Sequence, residues 1–359
     1  MSDLLISTPS IYKSGPDVLE EFGEVVSLFA NANKKVLLIF SGKAKEKIGA
    51  QIYEQLKLKD ILYKEEIFTG FPSERQAKEY AGIAEKEEVD VLIGLGGGRT
   101  MDVTKAAGTF AKRPVITVPT IAATCAAWAA VSILYTDEGD YDRGFMNPKS
   151  PVAILADTKV IAKAPIRYLK AGMADTLAKW YEPSYKDELC DVISAHGAKL
   201  AYDTIRNLSE KVLAQAEKNE ADEDTVRIVD AIIYLAGFVG SFIGTKAFSG
   251  IAHPFYHNGR GVPGTRQKLH GEVVAYGLVL QGAYEKKSYE ELLERIRLLD
   301  SLDNLFTSKE IGYTGNEDYE FVVRRMRKEN PSIREEDGKE IVEAFRVADS
   351  YVERFRREK

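Results

Sequence analysis

Only four histidines occur in 359 residues, and three of them, His253, His257 and His270, fall within 18 positions. His253 and His257 are spaced i, i+4, which on a helix puts both imidazoles on one face, while His270 opens a segment, HGEVVAYG, that starts the next helix. Imidazoles of this kind, completed by a carboxylate, bind divalent metals. A catalytic zinc keeps three protein ligands and an open fourth position, and two histidines with one carboxylate also suit Fe(II). The bland alternative is a set of hydrogen-bonded structural histidines. The carboxylate candidate is Asp175 in KAGMADTLAKWYE, an acid at the start of an otherwise apolar helix whose alternative role is helix capping. His196, in DVISAHGAKLAYD, is isolated and is read as structural.

A second constellation is the run GLGGGRTMDVTKA at 94–106, which follows an apolar strand and opens a helix. Successive backbone N–H groups and the helix dipole there converge on an anion such as a pyrophosphate. Gly96, Gly97 and Gly98 let the backbone approach without a Cβ in the way. Because position 99 is Arg, the run does not complete GxGxxG, and it has no Walker lysine pattern, so a merely tight strand-to-helix turn is the other reading. Asp102, one turn into the helix, either favours the dipole or reaches a cofactor's amide.

The elements that must position these residues are legible as hydrophobic periods. Strands are expected at 34–40 (KKVLLIF), before Phe71-Pro72, at 89–95, at 114–119 and at 131–136, with helices at 43–57, 73–88 and 99–112 between them. That alternation predicts parallel strands with crossover helices, an α/β unit. After Pro151 the strand signals fade, and helices are expected at 166–182, 186–217, 222–248, 271–285, 288–300, 317–329 and 335–356. The expectation is an α/β dinucleotide-binding domain at 1–162 and an all-helical, metal-binding domain at 163–359, with the cleft between them as the place for chemistry.

Composition narrows the function. Hydrophobic residues at 45% and charged residues at 29% describe a folded globular chain, and Lys+Arg 49 against Asp+Glu 55 gives a net charge of −6 with no dense basic run, which argues against nucleic acid as a partner. Cys125 and Cys190 lack CxxC spacing, so neither a disulfide framework nor a thiolate zinc site is indicated, and a reducing cytoplasm is expected. No secretory leader and no membrane-spanning run is read.

With these residues in view, the chain resembles the iron-containing, group III alcohol dehydrogenase superfamily, and within it the glycerol dehydrogenase branch. The resemblance rests on GGGRTMDVTKA, VPTIAAT at 118–124, YTDEG at 135–139, GMADTLAKWYE, and AHPFYHNG followed by LHGEVVAYG, in order across nearly the whole chain. Within the branch, VPTIAATCAAW and GMADTLAKWYE are most similar to bacterial hydroxycarboxylate dehydrogenases, which reduce 2-oxo acids. The family architecture, shared with dehydroquinate synthases, agrees with the two halves.

The resemblance implies that Asp175, His253 and His270 are the ligands of one divalent metal. Lys179 stands where many iron-dependent relatives place another histidine, which favours zinc over iron. His257 falls near a family histidine beside the nicotinamide; a proton relay is one expectation for it, and a structural role at a helix end is the other. Gly97, Gly98, Arg99, Thr100 and Asp102 correspond to pyrophosphate and amide contacts of NAD(P), and Thr120, Ala123, Ala129, Val131 and Tyr135 to positions lining it. A small-molecule substrate and a homo-oligomer are likewise implied.

Two departures bear on specificity. Cys125 stands where glycerol dehydrogenases carry an Asp that holds the polyol, and Trp128 replaces a small polar residue, which argues against glycerol and places Cys125 in the catalytic pocket; its alternative role is as a packed small hydrophobe. After the strand ending at Phe40, where NAD-specific members place an acid for the ribose, the residues are Ser41, Gly42 and Lys43, and Lys43 can accept a 2′-phosphate, so NADP(H) is expected to serve at least as well as NAD(H). The expected reaction is hydride transfer between nicotinamide and a small 2-hydroxy acid, 2-oxo acid or alcohol. The alternatives are a glycerol or other polyol dehydrogenase, a dehydroquinate synthase-like lyase, for which the basic residues of a phosphorylated-substrate site are missing, and a nucleotide-binding protein without turnover.

Overall fold

The computed structural model describes residues 5–183, 192–243, 250–329 and 333–359; Cys190 and parts of the helices expected at 186–217 and 222–248 lie outside the described residues. The chain forms two compact units, one of residues 1–169 with 211–244, the other of 170–210 with 245–359. Where the sequence suggested a single boundary between 162 and 163, the partition is discontinuous, because the segment 211–244 returns to the first unit.

The strands are β1 (Leu5–Ile6), β2 (Ile11–Gly15), β3 (Lys35–Ser41), β4 (Leu62–Phe68), β5 (Val91–Gly96), β6 (Val115–Pro119), β7 (Val131–Tyr135), β8 (Tyr141–Met146), β9 (Ala153–Asp157) and β10 (Phe242–Ile243). Six of them form a parallel sheet in the order β2-β9-β6-β5-β3-β4. β3 shows why this sequence makes such a sheet. Val36, Leu38 and Phe40 pack on one face with Ile48, Ile52 and Leu56 of the helix Gly42–Leu58, while Leu37 and Ile39 pack on the other with residues of the helices Glu74–Lys86 and Gly98–Ala111. A strand buried on both faces reads as a continuous apolar run rather than an alternation.

From β3 the chain crosses to the edge strand β4 and then returns past β3 to β5. The direction of winding therefore reverses between β3 and β5, and their carboxyl ends lie side by side, with Phe40 paired to Leu95. In open α/β sheets this is where ligands bind.

Three expectations are corrected. Ala153–Asp157, passed over as the region where strand signals fade, is a fully buried interior strand of the sheet; five residues flanked by Pro151 and a helix leave too short a pattern to see. The run at 131–136 is a strand, β7, but it joins no parallel sheet: it pairs antiparallel with β8 as a separate hairpin. The helix expected over 222–248 breaks into Glu223–Asp230, a π-helical turn Ala231–Leu235 and Ala236–Val239, followed by β10.

Among the described residues the second unit is helical. Its centre is the helix His270–Tyr284, buried on all sides from Gly271 to Ala283. Two glycines set how closely its neighbours approach. A Cβ on Gly271 would lie 1.9 Å from the Ala171 carbonyl oxygen in the helix Ile166–Tyr181, and one on Gly277 would lie 2.8 Å from Cα of Ala252 in the helix Ala252–Gly259. These approaches bring together the three helices that carry Asp175, His253 and His270. Gly271→Ala should therefore destabilise the protein by roughly 1–3 kcal/mol through overpacking and weaken metal binding as well, which denaturant unfolding and a metal titration would both register.

Candidate functional site

Asp175, His253 and His270 each offer one ligand atom, and the three atoms lie within 4.8 Å of one another. His270 Nε2 is 2.9 Å and His253 Nε2 is 3.3 Å from the same oxygen, Asp175 Oδ1. Asp175 is 2% exposed, and although burial opposes ionisation, the two imidazoles hold its carboxyl well below the usual carboxylate range.

Behind His253 stands Glu182, 1% exposed, the residue that directly follows the helix carrying Asp175. Its carboxylate accepts from His253 N at 2.8 Å and from Nδ1 at 2.5 Å. With Nδ1–H committed to Glu182, the Nε2 lone pair is left for a cation, the carboxylate–histidine arrangement that fixes a metal ligand's tautomer. Burial pulls the His253 pKa down, but Glu182 and Asp175 outweigh it and push it up to about 9. The donor set thus fits a divalent cation: one carboxylate and two imidazoles, three ligands, one of them oriented from behind.

His257, one turn after His253, has its ring centroid 6.5 Å from that of His253 and 6.2 Å from that of His270. Removal from water, with the His270 and His253 charges beside it, pushes its pKa well below the ordinary histidine value, so it is neutral. Lys179, one turn after Asp175, is 5% exposed, and His196 lies exposed on the helix Val192–Ala216.

In the first unit the glycine turn sits at the carboxyl ends of β3 and β5. Gly96 has φ +155°, and a Cβ there would meet Thr100 Oγ1 at 2.8 Å and Ser41 Oγ at 2.9 Å. Gly97 caps the helix, with Ile121 Cδ1 at 2.8 Å from where its Cβ would be, and Gly98 faces Thr124 and Ala126. The turn is a backbone cradle that side chains would fill, and it opens the helix Gly98–Ala111, which suits a pyrophosphate. Thr100 is buried; Arg99 is exposed, its guanidinium 4.3 Å from the Phe71 ring centroid. Thr120 N donates to Gly96 O at 2.9 Å, which ties the segment after β6 to the turn. Ala123 is half-buried, Ala129 and Tyr135 are buried, Val131 is half-buried, and the Tyr135 ring lies 5.7 Å from Phe71. Lys43 is exposed in the first turn of the helix that Ser41 caps through Ala44 N.

Cys125 is half-buried, and its carbonyl accepts from Trp128 N and Ala129 N. Trp128 is packed in the interior of the first unit. It is 5% exposed, its indole donates to Ser241 Oγ at 3.1 Å, and its ring packs on Tyr12 and Tyr234.

Residues 9–158 match the iron-containing alcohol dehydrogenase family. A glycerol dehydrogenase of Pseudomonas putida is 32% identical over 326 residues, spanning 87% of this chain and 86% of that protein. The chain belongs to the iron-containing alcohol dehydrogenase family. The hydroxycarboxylate dehydrogenase A of Escherichia coli K12 is 35% identical over 224 residues, 60% of this chain and 61% of its own length. The crystal structure of a glycerol dehydrogenase from Schizosaccharomyces pombe superposes with a TM-score of 0.87 over 100% of this chain and 93% of that one, at 22% identity, and so shares the fold. As a member of the glycerol dehydrogenase branch of this family, the protein is a metal-dependent, NAD(P)-linked oxidoreductase acting on CH–OH groups. Among the described residues no helix is long and apolar enough to cross a membrane.

Sequence reasoning missed two residues of this arrangement, Glu182 and Lys105. Glu182 ends the quoted run GMADTLAKWYE seven positions after Asp175, and seven residues are two helical turns, so the shared face was available as a signal. Lys105 follows Asp102 by three and lies in the helix Gly98–Ala111.

The protonated His253 stabilises the metal-free protein. That contribution is complete below the unfolded pKa of about 6.5 and is lost as pH rises through about 9. A cation needs the neutral ring and must displace that proton, so its affinity should rise by about tenfold per pH unit up to this value and then level off, as chelator competition would show. Asp175→Ala should abolish metal retention and turnover together. Glu182→Gln should weaken metal binding by about 10–100-fold and move the levelling-off to lower pH.

Proposed function

We propose that this protein interconverts a small 2-oxo acid and its 2-hydroxy acid, with Asp175, His253 and His270 holding the metal and the glycine turn at 96–98 holding the pyrophosphate of NAD(P). The three-ligand set backed by Glu182 carries the reading. A cation in that set supplies Lewis-acid polarisation of the substrate C–O bond, and the nicotinamide supplies or accepts the hydride. Asp175 and the two imidazoles would hold that cation. The three-donor set, with Lys179 in place of a further imidazole, favours zinc over iron.

In reduction the hydride goes to the carbonyl carbon and a proton must reach the oxygen. His257 is neutral, so it relays rather than stores that proton: it passes one from one ring nitrogen and takes another at the second, and oxidation runs the relay backwards. Gly97, Gly98, Arg99 and Thr100 form the turn, and Thr120, Ala123, Ala129, Val131 and Tyr135 the wall of the dinucleotide site. No acid occupies 41–43, Ser41 Oγ is committed to capping, and Lys43 is exposed at the helix start, which supports use of NADP(H) alongside NAD(H).

Cys125 supports a 2-oxo acid over a polyol. It adds no charge to repel a carboxylate and no carboxylate acceptor for a row of hydroxyls. The similarity to a hydroxycarboxylate dehydrogenase points the same way. Glycerol is the second reading, favoured by the Pseudomonas putida relative. A homo-oligomer in a reducing cytoplasm, without a nucleic-acid partner, completes the proposal; the net charge of −6 supports its last part. The test is oxidation of NADPH and NADH by zinc-loaded protein with 2-oxobutyrate, beside cofactor reduction with glycerol. Turnover of the oxo acid exceeding that of glycerol is expected, with NADPH at least equal to NADH. Glycerol turnover alone would return the protein to the polyol branch and leave Cys125 as packing.

A further inference from the structure

Lys105 is 2% exposed in a helix whose neighbouring residues Val103, Ala106 and Ala107 belong to an apolar core. A buried ammonium is costly unless each N–H has a partner. Here all three are taken: Nζ lies 3.0 Å from Asp102 Oδ1 and donates to Ala129 O at 3.0 Å and to Val131 O at 2.5 Å. With no N–H to spare, Lys105 is not a ligand-binding group.

Its partners show what it does. Carbonyls two residues apart point to the same edge of a strand, and that edge belongs to the start of β7, whose other side faces β8: Ala130 O accepts from Asn147 N at 2.9 Å. The next group along the same edge, the Ile133 amide, donates to the Asp102 carboxylate. One ion pair on a single helical turn thus satisfies positions 129, 131 and 133 of an edge that, among the described residues, no sheet strand covers, as a neighbouring strand would. The clip joins the helix opened by the glycine turn to the segment that carries Ala129 and Val131.

We propose that Lys105, paired with Asp102, is a positioning residue for the nicotinamide dinucleotide: by standing in for a strand along the open edge of β7 it holds the wall of the cofactor site in register with the glycine turn. This rests on the reading that 129–135 lines the dinucleotide. It also gives Asp102 a structural duty beside any contact with the cofactor.

Lys105→Met and Lys105→Arg are compared with the parent as full-length, zinc-loaded proteins, and Asp102→Asn/Lys105→Met removes both charges so that no buried carboxylate is left unpaired. NADH binding without substrate is followed by dinucleotide fluorescence, with zinc content, KM and kcat measured in parallel. The expected result is a rise of at least about tenfold in the Kd and KM for NADH in Lys105→Met and in the double variant, zinc content unchanged, a smaller effect on kcat, and partial rescue in Lys105→Arg. A role confined to stability would lower the melting temperature without moving the KM-to-kcat pattern, and that result, or an unchanged Kd in the folded double variant, overturns the proposal. A parent protein that binds no NADH overturns the functional reading itself, and this proposal with it.

Discussion

One buried carboxylate oxygen governs the helical unit. Asp175 Oδ1 serves two imidazoles at once, in a setting where it is 2% exposed. A carboxylate taken out of water is stable only beside compensating charge, and two imidazoles converging on one buried carboxylate oxygen form a site suited to a cation. The surroundings follow from that demand. Gly271 and Gly277 give up side chains so that three helices come close enough for the three donors to meet. Glu182 supplies the second negative group that keeps His253 oriented, and it is itself held below the usual carboxylate range by His253 despite burial. His257, buried beside the charges of His270 and His253, goes the other way and is neutral. Two histidines one helical turn apart, both buried, thus acquire opposite protonation states because the charges beside them differ.

The α/β unit answers to a different constraint. A parallel sheet covered on both faces has its edges of interest only at the strand ends, and the one place where adjacent crossovers diverge is between β3 and β5. Side chains at that point would block access, and Gly96, with its positive φ and with Thr100 and Ser41 against the place of its missing Cβ, leaves backbone there instead. β7 and β8 lie outside the sheet, so β7 needs another source of hydrogen bonds, and the Asp102–Lys105 pair provides it at the cost of burying two charges. The carboxyl of Asp102 is pushed up to about 6 by that burial even with Lys105 opposing it.

Much of this was legible in the linear chain because the periods are local. The apolar run KKVLLIF, the strand–glycine–helix run at 94–106 and the histidine cluster each declare themselves within a few residues, and the strands at 35–41, 91–96 and 115–119 and the helices at 42–58, 74–86 and 98–111 lie where their periods place them. What escaped was what depends on partners far along the chain. β9 is a five-residue segment whose strand character comes from neighbours β2 and β6 on either side. Residues 211–244 join the first unit because Asp230 receives the Tyr12 hydroxyl, Gly237 packs on Trp128, and Ser241 accepts from its indole. The same contacts make Trp128 a packed anchor.

The sequence by itself determined the chemistry on offer: a glycine turn at a strand end, three histidines and an acid of the right types, and a family pattern spread over nearly the whole chain. Residue type and short-range periodicity suffice for that, since they set which groups exist and which helical face or strand end carries them. Tertiary structure alone decided which groups meet and in what protonation state. Asp175 lies 78 positions from His253 and 95 from His270, and no local period encodes such a distance. It is set by helix approaches at Gly271 and Gly277, and the pKa values that follow depend on burial and on charges brought in from those distant segments.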